Sequence, residues 1–198
     1  WANPVSFKSA IHFSTGKMKA QSNVLSDESV DFTRLNLKDH SNLHVHWGTK
    51  TAGVNDTALD DLNDGVPNAQ VYRIEKVLGP HQLRVWPAAK ADGAVDYSIG
   101  KRSYYKMRVS NCDFFVCDTR GQRQMHDTRN PGKKGLSMLG TVQREWLLRE
   151  LTASDADFHF VVSSVNFMIP HVGGGKIRAG DKDEAWTVFL AEREKLIR

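Results

Sequence analysis

Cysteine is scarce: the 198-residue chain has two. Cys112 and Cys117 form no C-x-x-C pair, and no further cysteine exists to complete a zinc cluster. Five positions apart on one strand, they would point to opposite faces and lie too far apart for a disulfide. Both read as free thiols packed in a core, which weighs mildly against an oxidising compartment. Long hydrophobic runs are lacking too. Nothing approaches the roughly eighteen consecutive apolar residues of a membrane span. There is no internal repeat and no low-complexity tract. The chain opens on Trp1 with no charged-then-apolar leader, which gives the expectation of a processed or excised end. No G-x-x-x-x-G-K-[ST] phosphate loop is present, so Gly173-Gly174-Gly175-Lys176 reads as a hinge or lid.

What is there suffices for a core. Hydrophobic residues make up 40% of the chain, and the length suits one domain or one domain with a small lobe. The net charge is +4, and its excess is uneven. Arg120, Arg123, Arg129, Lys133 and Lys134 face a single acid, Asp127, across 120–134. Such a cluster is either a solvated basic loop or a surface that attracts anions: phosphoesters, acidic glycans, nucleic acid or anionic surfaces. It is too short and too poor in aromatics to specify nucleic acid.

By pattern the chain divides near residue 100. The first half alternates as β: 43–47 (LHVHW), 69–78 (AQVYRIEKVL) and 81–87 (HQLRVWP), with Gly79-Pro80 as a turn. These segments predict a small antiparallel sheet or half-barrel, with 56–68 as a polar loop. The second half predicts an α/β arrangement (α+β for the whole chain). Strands 103–110 and 113–118 form a hairpin around Ser110-Asn111. A helix follows Gly140, with Val142, Trp146, Leu147 and Leu151 at helical spacing. The segment 157–167 (DFHFVVSSVNF) is apolar on both faces, the mark of a central strand covered by helices. A last helix begins near 181–183 and carries Trp186, Phe189, Leu190 and Leu196 on one side.

Four features carry chemistry. Cys117 and Arg123 have the spacing of a cysteine-phosphatase loop, in which a thiolate attacks phosphorus. No helix signal starts at the arginine and no histidine precedes the cysteine, so the match is poor. Alternatively, Asp118, Thr119, Arg120 and Arg123 emerge at the carboxyl end of a strand, where α/β sheets hold ligands, and guanidinium forks suit phosphate. Against that stands a plain Asp118–Arg ion pair. Ser163, Ser164, Asn166 and His171 leave the next strand near the same edge, as ligands or as ordinary caps. His44 and His46 share one face of a strand and form either a metal-binding pair or part of a solvent face.

Taken together, YYKMRVSNCDFFVCDTRGQR (104–123), SMLGTVQREWLLRELTASDADFHFVVSSVNF (137–167) and DEAWTVFLAEREKLI (183–197) resemble the later part of a PhoD-type alkaline phosphatase. That family belongs to the calcineurin-like metallophosphoesterases. The resemblance covers about 97–198 and leaves 1–96 as a β-rich lobe of unassigned type. It implies part of a four-layer α/β/β/α sandwich, a phosphoester substrate, and divalent or mixed metal ions (Ca, Fe, Zn or Mn). It also implies a secreted or periplasmic setting. Of the site residues, it implies that Arg120 and Arg123 hold phosphate oxygens, that Asp118 orients an arginine or a metal ligand, and that Asn166 faces the metal centre. The family's G-D-x-x-Y/D, N-H-E/D and G-D-x-H ligand segments are not in this sequence; Gly180-Asp181 is followed by Lys182-Asp183. The expectation is therefore a fragment of a longer phosphatase or a relative that has lost its metals. A non-catalytic anion-binding module is the alternative.

Overall fold

The strands between Ala10 and Lys101 form a sheet that closes on itself. A computed structural model describes residues 10–37, 41–46, 66–124, 135–167, 186 and 189–198. Six antiparallel strands form a closed barrel in the order β1-β2-β5-β4-β3-β6. They are β1 (Ala10–Met18), β2 (Val24–Ser26), β3 (Ser41–Val45), β4 (Val71–Gly79), β5 (Gln82–Trp86) and β6 (Gly93–Lys101). Closure depends on β6, which pairs with β1 on one side and β3 on the other. The half-barrel read from three segments is thus a full barrel. Its closing strands, AIHFSTGKM and GAVDYSIGK, hide their alternation behind Gly, Ser and Asp.

A barrel this narrow is filled by its own side chains. Leu25, Leu43, Tyr72, Leu83, Val85 and Ile99 are completely buried. Two tyrosine hydroxyls find partners: Tyr72 donates to Asn68 O (2.8 Å) and Tyr97 to Asp27 Oδ2 (2.7 Å). Gly16 is required by close packing, since a Cβ there would sit 2.9 Å from Leu25 Cδ1 and 3.0 Å from Ser26 O.

The chain separates into two compact units, Trp1–Thr51 with Leu62–Ser103 and Ala52–Asp61 with Tyr104–Arg198. The second unit holds a three-stranded sheet of order β7-β8-β9. β7 (Tyr105–Val109) and β8 (Cys112–Val116) form the hairpin the sequence predicts, turning at Ser110 with φ 54°. The helix α1 (Gly140–Thr152) carries the chain across to β9 (Phe158–Val162), which runs parallel to β8. A second helix, α2 (Leu190–Ile197), follows the buried Trp186 and Phe189. Residues 181–185, where the sequence predicts this helix to begin, lie outside the described residues. No described helix is long and apolar enough to cross a membrane.

One face of this sheet packs on α1 through Phe115, Trp146 and Leu147. Register sets Tyr105, Met107 and Val109 beside Val116, Phe114 and Cys112, and these beside Val162, Phe160 and Phe158. All nine are apolar and on the other face. The outer two rows are exposed, with Val109 and Phe158 each at 57%. The expectation of a covered central strand is therefore corrected. β9 is five residues long, pairs only with β8 among the described residues, and is exposed on both faces. Its hydrophobicity reports what it can pack against, and among the described residues that layer is missing.

At the amino end of β8, buried Asp113 accepts two bonds from Arg108 (2.6 and 2.8 Å), an ion pair from Lys106 (2.9 Å) and a bond from Ser154. The Arg108 guanidinium holds its carboxyl well below the usual range.

His44 and His46 do share one face, with ring centroids 5.1 Å apart. That face is not open to solvent at His44, which is 4% exposed. Burial, with the His46 charge nearby, pushes its pKa down to about 3. The folded chain therefore keeps this ring neutral where the unfolded chain protonates it below about 6.5. Stability is whole above that value and is lost as pH falls from 6.5 toward 3. Urea denaturation at a series of pH values should show a loss of up to about 3 kcal/mol by pH 4, and His44→Leu should flatten the profile. An equally steep profile in His44→Leu would assign the acid lability to other groups.

Candidate functional site

Because β8 and β9 are parallel, both leave the sheet at the same edge, the position where open α/β sheets bind ligands. The ladder extends one step further, with Cys117 N donating to Val162 O at 2.9 Å. Beyond it two loops run side by side, 118–124 from β8 and 163–167 from β9. Buried Thr119 joins them through a 2.5 Å hydroxyl–hydroxyl bond to Ser164. Ser163 accepts from Trp186 Nε1 (3.4 Å) and donates to Val165 O (2.7 Å).

The first loop is shaped from within and from behind. Asp118 Oδ1 accepts from the amides of Arg120 (2.9 Å) and Gly121 (2.6 Å), an Asx turn that bends the chain back. The Asp118 backbone is held by Gln143 on α1. Gln143 Oε1 accepts from Asp118 N at 2.7 Å, and its Nε2 donates to Asp118 O at 2.8 Å and to Leu139 O at 3.0 Å. Gln143 is completely buried. Gly140 opens α1 at φ 68°, and a Cβ there would lie 3.1 Å from Gln122 O, so glycine lets the helix start against the loop.

The start of α1 has no side-chain cap of its own. Glu192 of α2 fills that role. Its buried carboxylate accepts from Met138 N (2.6 Å), Leu139 N (3.3 Å) and the Ser137 hydroxyl, and pairs with Arg144 at 3.0 Å. An anion at a helix N-terminus is favoured by the helix dipole and satisfies free amides.

Of the residues singled out in the sequence, Asp118 is half-buried, Arg120 exposed and Arg123 half-buried on the first loop, with Asn166 exposed on the second. Arg129, Lys133, Lys134 and His171 lie outside the described residues. Cys117 does not fit the nucleophile reading. It is 8% exposed in a cluster with Tyr104, Phe115 and Trp146, and burial together with the Asp118 charge pushes its thiol up to about 12. A thiolate is not available there near neutral pH. Cys112 is half-exposed on the apolar face, and both cysteines are free. Among the described residues no group of three or more His, Cys, Asp or Glu side chains could hold a metal ion. Among the described residues His44 and His46 gain no third ligand, and these residues do not fit a binuclear metal centre.

Gln143 and Glu192 are the residues that sequence reasoning misses. Each left a signal: a polar side chain on a buried helical stripe, beside Trp146 and Leu147 in one case and Phe189 and Leu196 in the other.

Among protein families, the PhoD-like phosphatase model matches residues 86–198. No curated protein and no solved structure matches the chain.

Glu192→Ala should destabilise the second unit by about 2–4 kcal/mol, because Arg144 and the amides of Met138 and Leu139, just before the helix, lose a buried acceptor. Urea denaturation measures this. A loss below about 0.5 kcal/mol, the usual range of a neutral surface change, would show that water replaces the carboxylate.

Proposed function

This chain belongs to the PhoD-like phosphatase family, and from that premise we propose that it supplies the phosphate-facing edge of a phosphoester hydrolase acting on phosphomonoesters or phosphodiesters. The observation that carries the reading is the Thr119–Ser164 bond. It joins the loop bearing Asp118, Arg120 and Arg123 to the loop bearing Asn166, at the carboxyl ends of parallel strands and within the matched segment. Arg120 and Arg123 bind the phosphate oxygens, for which a planar guanidinium fork is suited. Asp118 fixes the direction in which the arginines leave the strand, and the Asn166 amide faces the reacting group.

The family is in general metal-dependent. Metal ions polarise phosphate oxygens and activate water, but the described residues offer no ligand set for them. The roles given to these four residues stand without one. In this reading 97–198 form the phosphatase part and 1–96 a separate β lobe.

The fold completes the proposal. A sheet covered by a helix on one face and apolar on the other is a half-built layer structure. We take the face of Tyr105, Met107, Phe114, Val116, Phe158 and Phe160 as the one on which a second sheet packs in the full four-layer sandwich. If it is open in this chain, Phe160→Lys should reduce binding of the dye ANS and change stability by less than about 0.5 kcal/mol. A loss of several kcal/mol would mean the face is already covered.

For the site, turnover of p-nitrophenyl phosphate with added divalent metal is the direct assay. Arg120→Ala should raise KM about tenfold or more, the worth of one charge-assisted hydrogen bond. Unchanged kinetics would remove Arg120 from the site. Phosphate binding without turnover when metal is bound stoichiometrically would favour an anion-binding module over an enzyme.

A further inference from the structure

Gln143 grips the backbone of Asp118 on both sides, at N and at O. Its own helix is fixed at the same point, since its Nε2 also reaches Leu139 O, and Leu139 N is held by Glu192. The path is continuous. Glu192 sets the first turn of α1, α1 presents Gln143, Gln143 fixes the Asp118 peptide groups, and the Asp118 carboxylate gathers the amides of Arg120 and Gly121. A buried amide that both donates and accepts cannot be swapped for an apolar or charged side chain without leaving one peptide group of Asp118 unpaired.

We propose that Gln143 is a positioning residue of the phosphate site, setting the turn from which Arg120 and Arg123 project. This rests on the reading that those arginines face phosphate. The role is specific to one loop: β8 keeps its own ladders to β7 and β9.

The test uses the 198-residue chain, with Gln143→Glu, Arg120→Ala and the double variant. Gln143→Glu keeps an acceptor for Asp118 N and loses the donor to Asp118 O. Gln143→Met, similar in volume, serves if the first variant fails to fold. Two quantities are read: amide hydrogen exchange along 112–124 and the Kd for inorganic phosphate. Exchange at Arg120 and Gly121 should rise about tenfold, the factor that one hydrogen bond carries, while exchange at Phe114–Val116 stays unchanged. The phosphate Kd should rise about five- to tenfold, with a smaller further rise, through Arg123 alone, when Gln143→Glu is added to Arg120→Ala. Unchanged exchange at 120–121 overturns the positioning role even if phosphate binds. So does a fully additive double variant, because a general loss of stability adds where positioning of Arg120 does not. If the unsubstituted chain does not bind phosphate, the reading of the site itself falls, and with it the role of Gln143 toward substrate, whatever the exchange shows.

Discussion

The second unit is organised around one buried carboxylate. Glu192 is 2% exposed and meets donors from four residues: the Ser137 hydroxyl, the amides of Met138 and Leu139, and the guanidinium of Arg144. A charge taken out of water costs several kcal/mol, and only a full set of donors repays it. That requirement is strict enough to fix geometry. Residues 137–139 must stand where their donors converge on α2. The phase of α1 is thereby set, and with it the direction of Gln143 one turn on. Remove the carboxylate and the amides at the start of the helix lose their acceptor, so the helix and the loop behind it lose their common reference.

The same logic pins β8 at both ends. At its amino end Asp113 is held by Arg108, Lys106 and Ser154. Past its carboxyl end the Asp118 backbone is held by Gln143. Between them Phe115 is fully buried against the helix layer. A shift of one residue would turn Phe115 out and Phe114 in, and would unpair both polar clamps at once. The position of the candidate site thus depends less on the residues that would meet substrate than on two polar anchors, one strand length apart, that forbid slippage.

Much of this was legible in the sequence. The 3.6-residue recurrence of Val142, Trp146 and Leu147 gives α1, and the alternation around Ser110-Asn111 gives the hairpin. The quoted motifs D-T-R, M-L-G-x-x-Q and S-S, with W-x-x-F-x-x-E-R, prove to be the hydrogen-bonded parts of one assembly: Asp118 and Thr119, Gln143, Ser163 and Ser164, Trp186 and Glu192. Their contacts were not legible, because Gln143 lies 25 positions from Asp118 and Glu192 lies 54 from Met138, and no local rule connects such distances. The barrel shows the opposite failure. β1 and β6 obey local rules only weakly, since Gly16 serves a close approach to Leu25 and the buried Ser98 lies beside His46. Closure overrides their weak patterns.

β9 shows the limit of hydrophobic pattern as evidence. FHFVV reads as a strand buried on both faces, yet Phe158, Phe160, Val161 and Val162 are 42–57% exposed. Nothing in the pattern is false: an apolar run states which neighbours would stabilise a strand. Soluble proteins seldom leave a contiguous apolar face of this kind uncovered, and this one continues across three strands without a charge. The consequence reaches the site. The loop bearing Asn166 leaves β9, and the Thr119–Ser164 bond ties it to the β8 loop. Asp118, clamped by Gln143, keeps its place whether or not the face is covered. Asn166 takes its place from β9, so a second layer on that face would fix the asparagine as well as bury the strand.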